Sequence, residues 1–544
     1  MRRVLVIGID GATLDLIRPW AEEGDLPNLG SLMTDGACGP LESTLPPVTA
    51  PAWPTFATGK NPGKHGVFDF IRPMGGRFEL INASSLRAAT LWEILSGAGR
   101  TVGVMNVPIT YPPKSVNGFM IGGMLSPAEG TFTYPAALLD PYQGRLKPYR
   151  IAPIVQYKEG NEEAFIADLL DLVKCRGAYA LRLMEDHHLS FMMCHFQATD
   201  ILQHALWRLV DPSHPRHNPE AARRFGPSFK TVFQSIDQTI GRMVDRLDDD
   251  ATVIVMSDHG FGSLHYTVNI NLFLLDQGLL QLKHGVWTRL KSDLFRAGIT
   301  PASFWHLIER VGLQNYVWQV SRSTRNKVVS RFLSFDDVDW GRTVAYSIGH
   351  VGQVYVNLKG REPDGIVEPG EEHRVVRQRA GEALQHLRHP KTGKSLADEI
   401  IPGDQVAHGP YASRGADLHL VLDGYRAVAF PLFAADHRII TSQIRGDSGC
   451  HRRHGMLIAW GDGIRSGGAI KGARIMDLAP TILHLLGLPV PDDMDGRVLE
   501  SAISAPHSVE YRRRDLSGPQ AQVGLSTEES AEVEERLRSL GYLG

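Results

Sequence analysis

Three apolar runs, each ending on an acid or shortly before one, constrain this chain most. They are VLVIGIDG (4–11), CHFQATDILQHALW (194–207) and VIVMSDHGF (253–261). Uninterrupted apolar runs of this kind read as strands buried on both faces, as in parallel sheets. An open α/β sheet gathers the carboxyl ends of its strands into one crevice, so acids far apart in sequence can meet there. The candidate residues are Asp10, Thr49, Asp200, His204, Asp258, His259 and His451, six metal-type ligands and one hydroxyl. Three carboxylates and a threonine alkoxide carry about four negative charges, which two divalent cations would balance. This is the signal of a two-metal hydrolase.

The rest of the pattern fits an α/β chain. A buried strand is expected at 3–9, and the loop 40–50 is rich in proline and turn residues. A helix follows, with Pro51 suited to its first turn and Gly59 to its end. Segments 101–109 and 118–123 read as strands, 160–188 as a helix, 189–196 as a buried strand and 199–210 as a helix. A helix around 228–247 leads to a strand at 251–256 and the turn Asp258-His259-Gly260. The texture changes from about 262 to 445, with an aromatic helical stretch at 303–335. That block reads as an α+β cap inserted between core elements, because it separates His259 from His451. A return strand at 456–464 and a helix at 476–488 follow, and 528–544 forms an amphipathic charged helix. The expected division is a core of 1–261 and 446–505, a cap or substrate region of 262–445, and a helical tail of 506–544.

At 544 residues the chain can bury a large core. A formal net charge of −3 argues against general nucleic-acid binding, which usually shows a basic excess. The four cysteines, Cys38, Cys175, Cys194 and Cys450, form no C-x-x-C pair and read as free thiols of a reducing compartment. No stretch approaches the roughly 20 apolar residues of a membrane span. The expectation is a cytoplasmic protein of unspecified oligomeric state.

Each candidate also has a plainer reading. Thr49 stands at a helix start, where it could simply be an N-cap. An adjacent cation would make it a usable nucleophile by lowering its hydroxyl pKa. Asp10 could cap a turn. Asp200 and His204 lie one helical turn apart on one face, suited either to one cation or to an ion pair. His454 competes with His451. The glycine spacing after residue 8 lacks the G-x-G-x-x-G fingerprint, and Gly59-Lys60-Asn61-Pro62-Gly63-Lys64-His65 lacks the P-loop ending.

The chain resembles the alkaline phosphatase superfamily, specifically its type I phosphodiesterase/nucleotide pyrophosphatase branch. The resemblance rests on IDG (9–11), PNLGSLMTDG (27–36), STLPPVTAPAWPTFATGKNPGKHG (43–66), TDILQH (199–204), SDHG (257–260), GCHRRHG (449–455) and DLAPTILHLLGLPVPDDMDGRVL (477–499). It implies an alkaline-phosphatase-like core with a central, mostly parallel sheet flanked by helices. It also implies a nucleophile at Thr49, with one metal held by Asp10, Thr49, Asp258 and His259. A second metal would lie among Asp200, His204 and His451, the last favoured over His454 because the family's third histidine follows a G-x-H turn. Zinc suits the mixed ligands best, with manganese or iron as alternatives.

The family's asparagine three residues after the nucleophile is Ala52 here. Phosphate oxygens would then rely on backbone N–H groups, Arg452 or a cap residue. The resemblance implies hydrolysis of a small-molecule phosphate ester through a phosphothreonine. Rivals are a phosphomutase or phospho-group transferase on the same fold, and a non-catalytic protein that binds phosphorylated ligands.

Overall fold

The computed structural model describes residues 2–73, 78–127, 130–300, 303, 332–349, 351–430, 433, 436–442, 446–504, 508–513 and 526–539. Its centre is a ten-stranded sheet. The strands are β1 (Arg3–Ile9), β2 (Ala37–Glu42), β3 (Val102–Met105), β4 (Gly118–Ile121) and β5 (Thr133–Tyr134), followed by β6 (Phe191–Phe196) and β7 (Ala251–Met256). A separate two-stranded ribbon, β8 (Gly260–Ser263) with β9 (Gly449–Arg452), lies between β7 and the last three sheet strands. Those three are β10 (His454–Gly461), β11 (Gly468–Ala469) and β12 (Ala473–Arg474).

The order across the sheet is β11-β2-β10-β7-β1-β6-β3-β4-β5, with β12 also on β2. Strand β1 runs parallel to both β6 and β7, and β3 runs parallel to β6 and β4. Only the pairings of β10 with β2 and β7, and of β4 with β5, are antiparallel within this sheet. The expected α/β architecture with a mostly parallel sheet is present.

Alternation along β1 explains why helices cover both faces. Leu5, Ile7 and Ile9 enter a core with Phe165, Phe229, Phe233 and Ile240 from the helices Glu162–Asp186 and Pro219–Val244. Val4 and Val6 point the other way, into a core with Trp53 and Phe56 of helix α1 (Thr49–Thr58) and with Leu478 and Ile482. Both faces are thus apolar from Val4 to Ile9, and Asp10 follows directly.

Helix α1 stops at Gly59, which takes φ 66° as a left-handed C-cap. Helix α2 (Ala198–Leu206) carries Asp200 and His204 directly after β6. Some boundaries differ from expectation. Residues 40–42, read as loop, belong to β2, where Gly39 and Pro40 disguise a strand held by β10. The strand expected at 101–109 stops at Met105, because Asn106 takes φ 61°.

The chain leaves the large sheet after β7 and returns in β9 and β10. Departure and return are zipped together, with Phe261 opposite His451 and Gly260 opposite Arg452. Between them lies a four-stranded antiparallel sheet ordered Ala345–Ser347, Gln353–Val356, Leu418–Leu422, Ala397–Pro402. Its apolar side joins Ile270, Leu274, Val48, Ala50 and Val67 in a third core. Helix α3 (Val286–Arg296) also belongs to this excursion.

Most of the aromatic helical stretch expected at 303–335, including Trp305 and Trp318, lies outside the described residues. Tyr346 and Tyr355 face each other as a cross-strand pair and are buried, so they fill a core and offer no stacking platform. The tail helix α4 (Thr527–Ser539) packs on the molecule through buried Val533 and Leu537. Its Arg536 donates to the Met124 carbonyl, and Tyr111 donates to Glu529.

Candidate active site

The carboxyl ends of three adjacent parallel strands supply the acids. Strand β1 delivers Asp10, β6 leads into α2 with Asp200 and His204, and β7 is followed by Asp258 and His259. Strand β9 brings His451 back to the same end. Gly449 permits this close approach, since a Cβ there would lie 2.4 Å from the Gln203 carbonyl. All seven sequence-predicted residues meet here, and all are buried except His204, which is partly exposed. His454 stands exposed at the start of β10.

Two groups form. Asp10, Asp258 and His259 make one, and Asp200, His204 and His451 make the other, each with ligand atoms within 4.8 Å of one another. The imidazoles of His259 and His451 stack with centroids 3.6 Å apart, so the groups abut. Thr49 is the first residue of α1, and its Oγ1 lies 3.2 Å from His259 Nε2. The cap residue is Val48, and no side chain caps this helix. The threonine Oγ1 thus faces His259 and the centre.

The three histidines share one device. His204 Nδ1 lies 3.0 Å from the Gly449 carbonyl, His451 Nδ1 2.8 Å from that of Pro47, and His259 Nδ1 3.1 Å from that of Gly260. Each carbonyl accepts from Nδ1 and so turns Nε2 towards the carboxylates. His204 Nε2 and His451 Nε2 then face each other at 2.9 Å, with Asp200 Oδ1 3.4 and 3.2 Å away. In the other group Asp10 Oδ1 and Asp258 Oδ2 find no hydrogen-bond donor among the described residues, and they lie 3.5 and 3.2 Å from His259 Nε2. Buried acceptors converging on acceptors need positive charge between them, and this donor set suits a divalent ion in each group.

The electrostatics agree. Burial, reinforced by Asp258 and Asp200, holds Asp10 well above the usual carboxylate range. Burial pushes Asp258 up to about 7, with Asp200 adding to the rise. Burial would also raise Asp200, but His204 and His451 overcome it and hold that carboxyl well below its ordinary value. Burial brings His259 and His451 down to about 4, so both are neutral and able to coordinate.

A match to the description "Type I phosphodiesterase / nucleotide pyrophosphatase" covers residues 4–455 of the 544. The chain belongs to that family. It is an enzyme of the phosphoester hydrolase class, and both candidate metal-binding groups fall inside the matched span. A search of curated protein sequences gave no match. Among solved structures, the chain is similar to human ectonucleotide pyrophosphatase/phosphodiesterase 5 at 14% identity. That likeness has a TM-score of 0.48 and covers 92% of this chain and 100% of that one. It is also similar to phosphonoacetate hydrolase from Sinorhizobium meliloti 1021, solved with phosphonoacetate. Here the identity is 12% and the TM-score 0.49, covering 89% of this chain and 95% of that one. No described helix of this family member is long and apolar enough to cross a membrane.

Two features lay beyond the sequence reading. His195, inside β6, puts Nε2 2.9 Å from Asp10 Oδ2 and Nδ1 2.9 Å from the Asn106 carbonyl, with Trp53 packed edge-on at 4.6 Å. Burial holds His195 down at about 3, so it is neutral. Its one hydrogen serves Asn106, and without a cation the hydrogen shared with Asp10 belongs to the carboxyl. The only sequence signal was a histidine interrupting an apolar strand. Arg452, considered for steadying phosphate oxygens, is committed elsewhere: its guanidinium donates to the carbonyls of Tyr425 and Ser263, both at 2.7 Å. It braces the β8–β9 ribbon.

Proposed function

We propose that this enzyme hydrolyses phosphodiesters through a phosphothreonine at Thr49, using two divalent cations, zinc first among the candidates. Asp10, Asp258, His259 and Thr49 would hold one cation; Asp200, His204 and His451 would hold the other. One observation carries the reading. The Nε2 atoms of three imidazoles converge on three buried carboxylates, and among the described residues Asp10 Oδ1 and Asp258 Oδ2 accept no hydrogen bond. When bound, the cations would neutralise the acids, lower the threonine hydroxyl pKa and draw charge from the phosphoryl oxygens.

The chain's own groups do the rest. Thr49 Oγ1 attacks phosphorus in line, forming the Oγ–P bond as the ester oxygen leaves. Water then attacks the phosphothreonine and returns the free hydroxyl. The amides at the start of α1 stand where an anion is favoured, and they take the part of the family's asparagine. Ala52 cannot, because it is buried in the core beneath the sheet. Residues 262–445 act as the cap. Their core includes Val48 and Ala50 on either side of Thr49, which supports a cap that seals the nucleophile from water.

The experiment pairs bis-p-nitrophenyl phosphate with p-nitrophenyl phosphate on metal-replete enzyme. Faster diester turnover, with radiolabel trapped on Thr49 by acid quench, is expected. Dominant monoester turnover would overturn the diester assignment, and label on no residue would overturn the covalent one.

A further inference from the structure

Eight large apolar side chains stand exposed among the described residues, and five of them fall within 286–299. They are Val286 (82%), Trp287 (77%), Leu290 (45%), Leu294 (40%) and Ile299 (52%). Scattered exposed apolar residues are ordinary, but a clustered set marks a binding surface. The first four belong to α3 and share one face of it by helical spacing. The opposite side is anchored by buried Thr288 and Phe295 and by Lys291, which donates to Asp337 at 3.1 Å. The helix is thus held by one face and leaves its apolar face outward.

Charge decides what that face meets. The exposed charges of residues 283–299 are Lys283, Arg289 and Arg296 against Asp293, a net of +2, with Lys291 paired to Asp337 on the anchored side. Arg289 and Arg296, both exposed, stand two turns apart along one flank of the apolar stripe, with exposed Asp293 between them. Near the helix start, exposed Arg342 reaches His284. A two-fold contact with a second copy would set these cations against their own counterparts. An anionic bilayer surface complements both features, because apolar side chains enter the headgroup boundary while cations meet lipid phosphates.

We propose that the exposed face of α3 docks this enzyme peripherally on membranes rich in anionic phospholipid. The proposal does not depend on the catalytic reading, and its readout uses no turnover. The test is sedimentation of full-length protein with sucrose-loaded vesicles of phosphatidylcholine, alone or with phosphatidylserine. Binding at least about tenfold stronger to the phosphatidylserine vesicles is expected, weakening at high salt. Reversal of charge in Arg289→Glu/Arg296→Glu should weaken it by about fivefold or more per arginine, and Trp287→Ser/Leu290→Ser should abolish it.

Three results would overturn the proposal. One is no preference for the anionic vesicles, or variants that bind like wild type. Another is a concentration-dependent dimer that Trp287→Ser/Leu290→Ser dissociates, which assigns the face to a second copy. The third is a lowered melting temperature in that same variant, which would mean the face is covered within the chain.

Discussion

Stripping the cations should make this protein's stability fall as pH rises from 6.5 to 8.5. Asp258, pushed up to about 7 by burial and by Asp200, and Asp10, held well above the carboxylate range, keep protons in the folded chain. The unfolded chain has released both by pH 6.5. Stability from an acid raised in this way is complete below its unfolded pKa and is lost as pH climbs through its folded pKa. For Asp258 the loss across the window is about 1 kcal/mol. Asp10, held well above the carboxylate range by burial and by Asp258, adds a loss of the same sign.

His204, which burial would lower but Asp200 raises, acts in the same direction. His195, at about 3, and His259 and His451, at about 4, have the opposite sign. Their contribution is intact above about 6.5 and is lost only as pH falls below it, which is why the window starts there. A bound cation replaces the protons, so loaded protein should lose none of this stability. Denaturation midpoints of chelator-treated protein at three pH values, repeated with zinc restored, measure the effect, and Asp258→Asn should flatten part of the slope. Chelated protein equally stable at both ends of the range, or more stable at pH 8.5, would refute the electrostatic account of the centre.

Thr49→Ala should lower diester turnover by at least about a thousandfold and abolish acid-stable labelling, while Thr49→Ser keeps measurable activity; quench-flow labelling checks both. His195→Gln should weaken metal binding about 10- to 100-fold, because Asp10 loses the partner that aims it, as read by chelator competition. Arg361 donates to Asp417 at 2.7 Å and to Glu362 at 2.8 Å, both buried. Arg361→Ala should therefore cost about 3 kcal/mol or more, seen as a lower urea midpoint. Cutting the chain before residue 526 removes Val533, Leu537 and the Arg536 bonds, and should lower the melting temperature with little change in metal content.

The sequence carried the parts of this centre that are local. An apolar run ending in an acid is visible at Asp10 and Asp258, and a one-turn spacing is visible at Asp200 and His204. Helix α1 announced itself through Pro51 and Gly59. What could not be read depended on distant partners. A histidine within β6 is indistinguishable from any core histidine until Asp10 and the Asn106 carbonyl are seen on its two nitrogens. Arg452 looked available because nothing local shows that the carbonyls of Ser263 and Tyr425 claim it. Strand β2 was hidden by its own Pro40, which only the pairing with Met456 on β10 reconciles with an extended chain.

The pairing of β8 with β9 bears on how the molecule is born. One wall of the second ion pocket arrives with His451, nearly two hundred residues after His259 has left the ribosome. An interrupted polypeptide lacking that return strand retains Asp10, Asp258 and His259 but cannot close the pocket of Asp200. If that pocket takes an ion as proposed, loading must wait until late in synthesis, and a truncated product would emerge already disarmed.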